Sequence, residues 1–222
     1  MLLVLSLFVF VLGCQTTSSP KGDQSPNEVA NFYSLIYLMR DKGVMNTPSP
    51  FLVHLLSNMP DTPTGATALD IGSGSGRNSI YIARKGYQVT AVDISRVGLD
   101  ATKRTAISHH LPITTIEQDI NSFDIGKNNW DLILLMDFQF PYQELLPKVA
   151  EGLKPGGIII ISGVSVKQGR QDSKLVGYTF IDRKDITKYF DGFTIIHDSE
   201  NLQDTIWGGK KEIILYAAKK GR

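Results

Sequence analysis

The chain has a single cysteine, Cys14, among 222 residues, so no intramolecular disulfide can form. Its few histidines, His54, His109, His110 and His197, show no metal-ligand spacing, and no metal is expected. His109 and His110 end a helical run where a cation suits the helix dipole. The others are given structural or solvated roles, with His197 as a lesser option for an acceptor-site base. Charge of one sign is also missing: 23 basic against 22 acidic residues leave a net +1. Only the short Lys219-Lys220 and Arg222 tail is basic. A strong electrostatic nucleic-acid footprint needs a basic stripe, so no nucleic-acid partner is expected. No internal repeat is present, and the length fits one α/β domain with short extensions.

What the chain does have is concentrated between Ala68 and Ser95. Thr67 to Ile71 is a short apolar strand containing Asp70. Gly72, Gly74 and Gly76 follow at every second position, a helix opens at Arg77, and Tyr87 to Val92 is a second strand ending at Asp93. This order is half of a nucleotide-binding α/β unit. Glycine permits positive φ and close approach of a ligand to the backbone. The free amides at the start of the next helix point towards that ligand. A carboxylate at the end of the second strand can accept from both hydroxyls of a ribose. The spacing is G-x-G-x-G rather than the dinucleotide G-x-G-x-x-G. With Asp70 close by, a pyrophosphate is disfavoured, and so is a nicotinamide-dependent oxidoreductase.

This segment resembles motif I of the class I S-adenosylmethionine (SAM)-dependent methyltransferases. Gly76-Arg77-Asn78, the Pro48-to-Val53 run and the Gly86-to-Ser95 strand resemble more narrowly the small tellurite-resistance and thiopurine-type enzymes. The resemblance implies S-adenosyl-L-methionine as cofactor. It places Asp70, Gly72, Ser73, Gly74, Gly76, Arg77 and Asn78 on the methionine side and Asp93 with Ile94 at the ribose. Asp119 and Ile120, after the strand Ile113 to Asp119, fall to the adenine. Met136 ends the strand Trp130 to Met136, and the residues that follow it lie near the reactive methyl. Leu153-Lys154-Pro155-Gly156-Gly157 resembles the family's turn into its fifth strand. The implied partner is a small-molecule methyl acceptor. An N-P-P-Y-type motif and a Pro-Cys nucleophile are both absent from the chain. Acceptor-side residues are taken to be Tyr33, Arg40, Phe138, Phe140, Tyr142, Arg170 and Trp207, with no catalytic residue assigned.

The first residues differ in kind. Met1 to Gly13 is almost wholly apolar, and Val11-Leu12-Gly13-Cys14 resembles a bacterial lipobox. Residues 14–26 then form a polar linker. The expected domains are 1–13, a signal-like segment; 14–26, the linker; and 27–222, the methyltransferase domain. Lipidation at Cys14 would anchor the chain to a membrane as a lipoprotein. No Lys or Arg precedes the apolar run, and SAM is a cytoplasmic compound, so a cytoplasmic domain is the alternative. A non-catalytic SAM-binding lipoprotein that keeps the fold is the alternative to an enzyme.

Along the rest of the chain, Asn27 is expected to cap a helix reaching about Asp41; the resemblance implies that this helix covers the pocket, with Tyr33, Tyr37 and Arg40 closing it. Pro50 to Met59 is a second helix. Ser95 caps a helix, Tyr142 to Leu153 is a helix that Pro147 kinks or delays, and Ser165 to Thr179 is a polar crossover. Asp182 caps Arg183 to Phe190. Phe193 to His197 and Glu212 to Ala217 form an antiparallel hairpin joined by Asn201 to Lys211. The fold class is α/β: a Rossmann-like, seven-stranded, mostly parallel sheet with helices on both faces and a C-terminal antiparallel hairpin.

Overall fold

The computed structural model describes residues 25–39, 47–138, 142–171, 180–204 and 209–221. Its centre is one seven-stranded sheet. The strands are β1 (Thr67–Ile71), β2 (Gln88–Asp93), β3 (Ile113–Glu117), β4 (Trp130–Met136), β5 (Leu153–Val164), β6 (Thr194–Asp204) and β7 (Lys210–Lys219). They lie in the order β3-β2-β1-β4-β5-β7-β6. The first five pair in parallel, whereas β7 enters antiparallel between β5 and the edge strand β6. Leu132 to Leu135 and Ile159 to Ile161 are fully buried, as strands covered on both faces must be.

The helices are α1 (Pro26–Met39), α2 (Pro50–Ser57), α3 (Arg77–Arg84), α4 (Arg96–Ser108), α5 (Tyr142–Gly152), α6 (Val166–Gln171) and α7 (Arg183–Tyr189). Two cores result. One packs Leu69, Ile133, Leu145, Leu146 and Tyr216, and the other packs Leu52, Ile82, Leu132 and Ile160. Because the chain steps from β1 outward to β3 and then back to β4, the strand order reverses between β1 and β4. The carboxyl ends of those two strands flank the crevice where such sheets bind ligands.

Several boundaries differ from the sequence expectation. Helix α1 starts two residues early, at Pro26, and its cap is Ser25 rather than Asn27. The Glu28 carboxylate accepts from the Ser25 backbone N–H at 2.9 Å, while Ser25 Oγ accepts from the Glu28 N–H at 3.4 Å. This reciprocal pair is a capping box, and proline suits the first helical position. Pro147 neither breaks nor delays α5, which runs through it to Gly152. The polar crossover contains the short helix α6, and Ser165 bridges to Ile181. The five-residue motif before β5 is its first stretch, set off by a register shift against β4.

The final hairpin is longer than its apolar content indicates. Strand β6 extends to Asp204 and β7 begins at Lys210, so most of the expected connecting loop is strand. An edge strand tolerates polar side chains, and here they find partners. Asp198 accepts from Arg183 Nε at 3.0 Å, and Glu200 pairs with Lys167 at 2.6 Å and with the Ser165 hydroxyl. A register shift between Ile195 and His197 marks a bulge. Among the described residues no helix is long and apolar enough to cross a membrane.

Candidate active site

The turn between β1 and α3 forms from three left-handed glycines: φ is +69° at Gly72, +55° at Gly74 and +80° at Gly76. Gly72 and Ser73 both donate backbone N–H to the Val92 carbonyl, at 2.9 and 3.1 Å, which ties the turn to β2. A Cβ at Gly74 would overlap the Tyr37 hydroxyl, and one at Gly72 would overlap the Phe138 ring. Glycine at both positions therefore leaves room for aromatic side chains from α1 and from the end of β4.

Around this turn lies a small cleft that is partly open to solvent. Its lining is Tyr37, Asp70, Gly72, Ser73, Gly74, Ser75, Arg77, Asn78, Met136 and Asp137. Asp70 is 2% exposed and accepts from the Ser79 hydroxyl at 2.6 Å. Burial raises its pKa to about 6; the Ser79 bond and the Arg77 charge oppose that rise, and Asp93 adds to it. Asn78 fastens the start of α3. Its Oδ1 accepts from the Ser49 N–H at 3.0 Å, and its Nδ2 points at the Met136 sulfur at 3.8 Å. The Ser73 hydroxyl is buried in the cleft wall with no hydrogen-bond partner. A polar atom so placed is fitted to accept from or donate to a ligand.

Asp93 stands at the end of β2, nearly buried. Its carboxylate accepts from Gly74 N–H at 2.8 Å and from Ser95 N–H at 2.7 Å. Burial raises its pKa, against the pull of the Ser95, Gly74 and Ile94 amides. Ile94 is half-buried beside it. Asp93, Ile94 and Gly76 do not line the cleft; Asp93 meets it through Gly74, and Gly76 is the left-handed residue at the N-cap position of α3. Asp119 and Ile120 lie outside the lining too. Asp119 Oδ1 accepts from Asn121 N–H at 3.0 Å, and Ile120 is buried in the core. They follow Gln118, whose N–H donates to the Asp93 carbonyl at 3.0 Å.

On the acceptor side, Tyr142 is buried and its hydroxyl donates to the Phe138 carbonyl at 2.5 Å. Tyr33 lies near enough to Tyr37 and Tyr142 for its charge to raise the pKa of both, after burial in each case. Phe138 is half-buried against Gly72. Arg40, Phe140, Trp207 and the lipidation candidate Cys14 lie outside the described residues, as does the side chain of Arg170.

Four contributors were not singled out individually from sequence. Asp137 and Ser75 line the cleft. Gly98, in the first turn of α4, faces the glycine loop, and a Cβ there would sit 2.9 Å from the Gly74 carbonyl carbon and oxygen. Thr102, one turn later, donates to the Gly74 carbonyl at 3.2 Å. Gly98→Ala is thus expected to push the loop and to destabilise the protein by about 1–3 kcal/mol, the usual cost of overpacking. Thermal unfolding checks this; an unchanged melting temperature would mean that the loop yields freely.

Comparison with known proteins finds similarity to one class. Residues 68–157 match the family model described as "Methyltransferase domain". This segment is similar to the domains of that family. A probable S-adenosyl-L-methionine-dependent methyltransferase of Haemophilus influenzae, TehB, is 26% identical over 138 residues, which is 60% of this chain and 48% of that protein. The ribosomal protein L11 methyltransferase of Brucella abortus is 30% identical over 131 residues, 57% of this chain and 45% of that one. The chain thus spans about half the length of the curated relatives it matches. The 1,6-didemethyltoxoflavin-N1-methyltransferase of Burkholderia thailandensis, solved with S-adenosylhomocysteine (SAH), shares the fold. Its TM-score is 0.62 at 18% identity, over 93% of this chain and 94% of that one. The cleft fits S-adenosyl-L-methionine, named for the Haemophilus influenzae relative: it has a buried acid at Asp70, a cation at Arg77 and an unpartnered hydroxyl at Ser73.

Proposed function

We propose that this chain moves the methyl group of SAM to a small-molecule nucleophile, a thiol, a chalcogen oxyanion or similar, by in-line displacement. The observation that carries the reading is the cradle itself. Buried Asp70, the left-handed Gly72 and Gly74 and the amide-bound Asp93 converge at the switch point of the sheet. SAM supplies a methyl already activated as a sulfonium, so the protein's work is alignment. Asp70 offers charge for a cationic amine, Asp93 accepts from ribose hydroxyls, and Asn78 and Met136 wall the reacting end. Tyr37 and Phe138 lie against the glycine turn. Holding reactants in a near-attack arrangement is worth about 7–11 kcal/mol. A soft nucleophile then needs no general base, whereas an amine or hydroxyl more often does. The chain has no N-P-P-Y-type or Pro-Cys motif, which supports a small acceptor over a nucleobase.

Lipidation at Cys14 and attachment to a membrane belong to the same proposal, with a cytoplasmic domain as the alternative. Cys14→Ala moving the protein into the soluble fraction would support the anchor, and unchanged fractionation would remove it. The cofactor is tested by calorimetry on the full chain. SAH is expected to bind at micromolar Kd, about −8 kcal/mol, with NAD as the silent control. Binding of NAD without SAH would overturn the reading. Methyl transfer from labelled SAM to thiols and to chalcogen oxyanions then separates the acceptors.

A further inference from the structure

Arg77 is the sole cationic side chain among the described residues that line the cleft, and it is already engaged. Its side chain is 11% exposed, and its Nη2 makes an ion pair with Asp137 across the mouth of the cleft. Its Nη1 donates to the Thr47 carbonyl at 3.4 Å. A guanidinium that buried requires an anion. Asp137 supplies it from an unfavourable backbone conformation, φ +55° on a residue other than glycine. Such a conformation costs about 1–3 kcal/mol and persists only where its surroundings hold it. Here the Asp137 N–H donates to the Ser162 carbonyl at 2.9 Å, and the Ser162 hydroxyl donates to Asp137 Oδ1 at 3.2 Å. One carboxylate oxygen is therefore fastened to the neighbouring strand and the other is held by Arg77. At 24% exposure, the Asp137 side chain retains access to water.

The methionine moiety of SAM carries an α-carboxylate as well as its cationic groups. In this cleft the acidic residues suit the cations, and only Arg77 suits the carboxylate. We propose that Asp137 is a built-in occupant of the carboxylate position: it neutralises Arg77 in the ligand-free protein and yields Arg77 to the cofactor's carboxylate on binding. The exchange replaces one carboxylate by another, so the buried guanidinium is never left unpaired. Asp137 stays tethered through Ser162 and meets water at the mouth. The inference rests on the methyltransferase reading and assigns Asp137 a positioning role within it.

Asp137→Asn tests the exchange. Asparagine tolerates the left-handed region, and its amide oxygen can still accept from Ser162. Full-length wild type and variant are titrated by calorimetry with SAH and with 5′-methylthioadenosine, which lacks the amino-acid part. The variant is expected to bind SAH about five- to thirty-fold more tightly, because the competing carboxylate is gone, with 5′-methylthioadenosine affinity unchanged. Unchanged or weaker SAH binding by a folded variant would overturn the proposal, and so would an equal gain for both ligands, which would mean that the mouth has simply opened. A wild type that binds neither ligand would remove the methyltransferase reading and this inference with it.

Discussion

Asp70→Asn is expected to stabilise the ligand-free protein at neutral pH and to cripple its cofactor binding. The carboxylate is 2% exposed and its pKa is raised, chiefly by burial, from 3.8 to about 6. A carboxyl whose folded pKa lies above its unfolded value binds its proton more tightly in the native state. Stability is therefore greatest below the unfolded value, falls as pH rises between about 4 and 6, and carries the full penalty above that window. Two pKa units correspond to about 3 kcal/mol, so an uncharged isostere that keeps an acceptor for Ser79 should recover about 1–3 kcal/mol at pH 7–8. For a chain of this size that is a rise of about 3–10 °C in Tm. At pH 4 the gain should vanish, because Asp70 is by then protonated in the wild type. The same substitution removes the anionic floor of the cleft, and SAH affinity should fall about 10- to 100-fold at pH 7.5. In the wild type, SAH affinity should likewise drop as pH falls below 6. Melting curves at pH 4 and 7.5, paired with calorimetry, check both halves. A variant that melts lower at pH 7.5 would show that the Asp70 charge stabilises the apo fold.

Much of this was legible in the sequence because it depended on local chemistry. Alternate glycines between an Asp-bearing strand and a helix leave few conformations open, and the strand ending at Asp93 has no competing period. The helix caps at Ser95 and Asp182 were readable for the same reason: their side chains accept from Gly98 N–H at 3.3 Å and from Lys184 N–H at 2.9 Å. Strand β6 was not readable beyond His197, because D-S-E-N-L-Q-D carries no apolar alternation. It is strand by virtue of pairing with β7 and of cations from α6 and α7 that no local window contains. Asn27 and Ser25 are both residue types that cap well, and what selects Ser25 is Glu28 at the third helical position.

Gly98 and Asp137 illustrate the tertiary limit. Gly98 reads as a poor helix residue until the Gly74 backbone is placed against it. Asp137 lies only two residues beyond Leu135, yet its meaning depends on Arg77 and on Ser162, which come from two other elements. Tyr37 was legible as a pocket-closing residue by resemblance alone, since nothing within α1 says which of its faces meets the glycine turn.

Asp93→Ala should act in the opposite sense to Asp70→Asn on stability, although burial raises the pKa of both carboxylates. The difference lies in what each one accepts. Asp70 accepts from a single residue, Ser79, through its hydroxyl and its backbone N–H, whereas Asp93 ties together the backbone amides of Gly74 and Ser95 from two segments. Those amides belong to the glycine turn and to the cap of α4. Hydrogen bonds to a charged group contribute about 1.5–3 kcal/mol each, and a buried donor left unmet bears its own desolvation cost. Relief of the buried charge offsets part of this, so a net loss of about 2–4 kcal/mol is expected. SAH affinity should fall at least 100-fold, because the same deletion removes the ribose acceptor and loosens the loop that faces the methionine end. Chemical denaturation and calorimetry at pH 7.5 measure the two effects. Retained affinity in a destabilised variant would place the ribose elsewhere and leave Asp93 as a loop anchor. Asp93→Asn, which keeps one acceptor oxygen, should recover part of the stability and little of the binding, since a ribose diol is held by two acceptors.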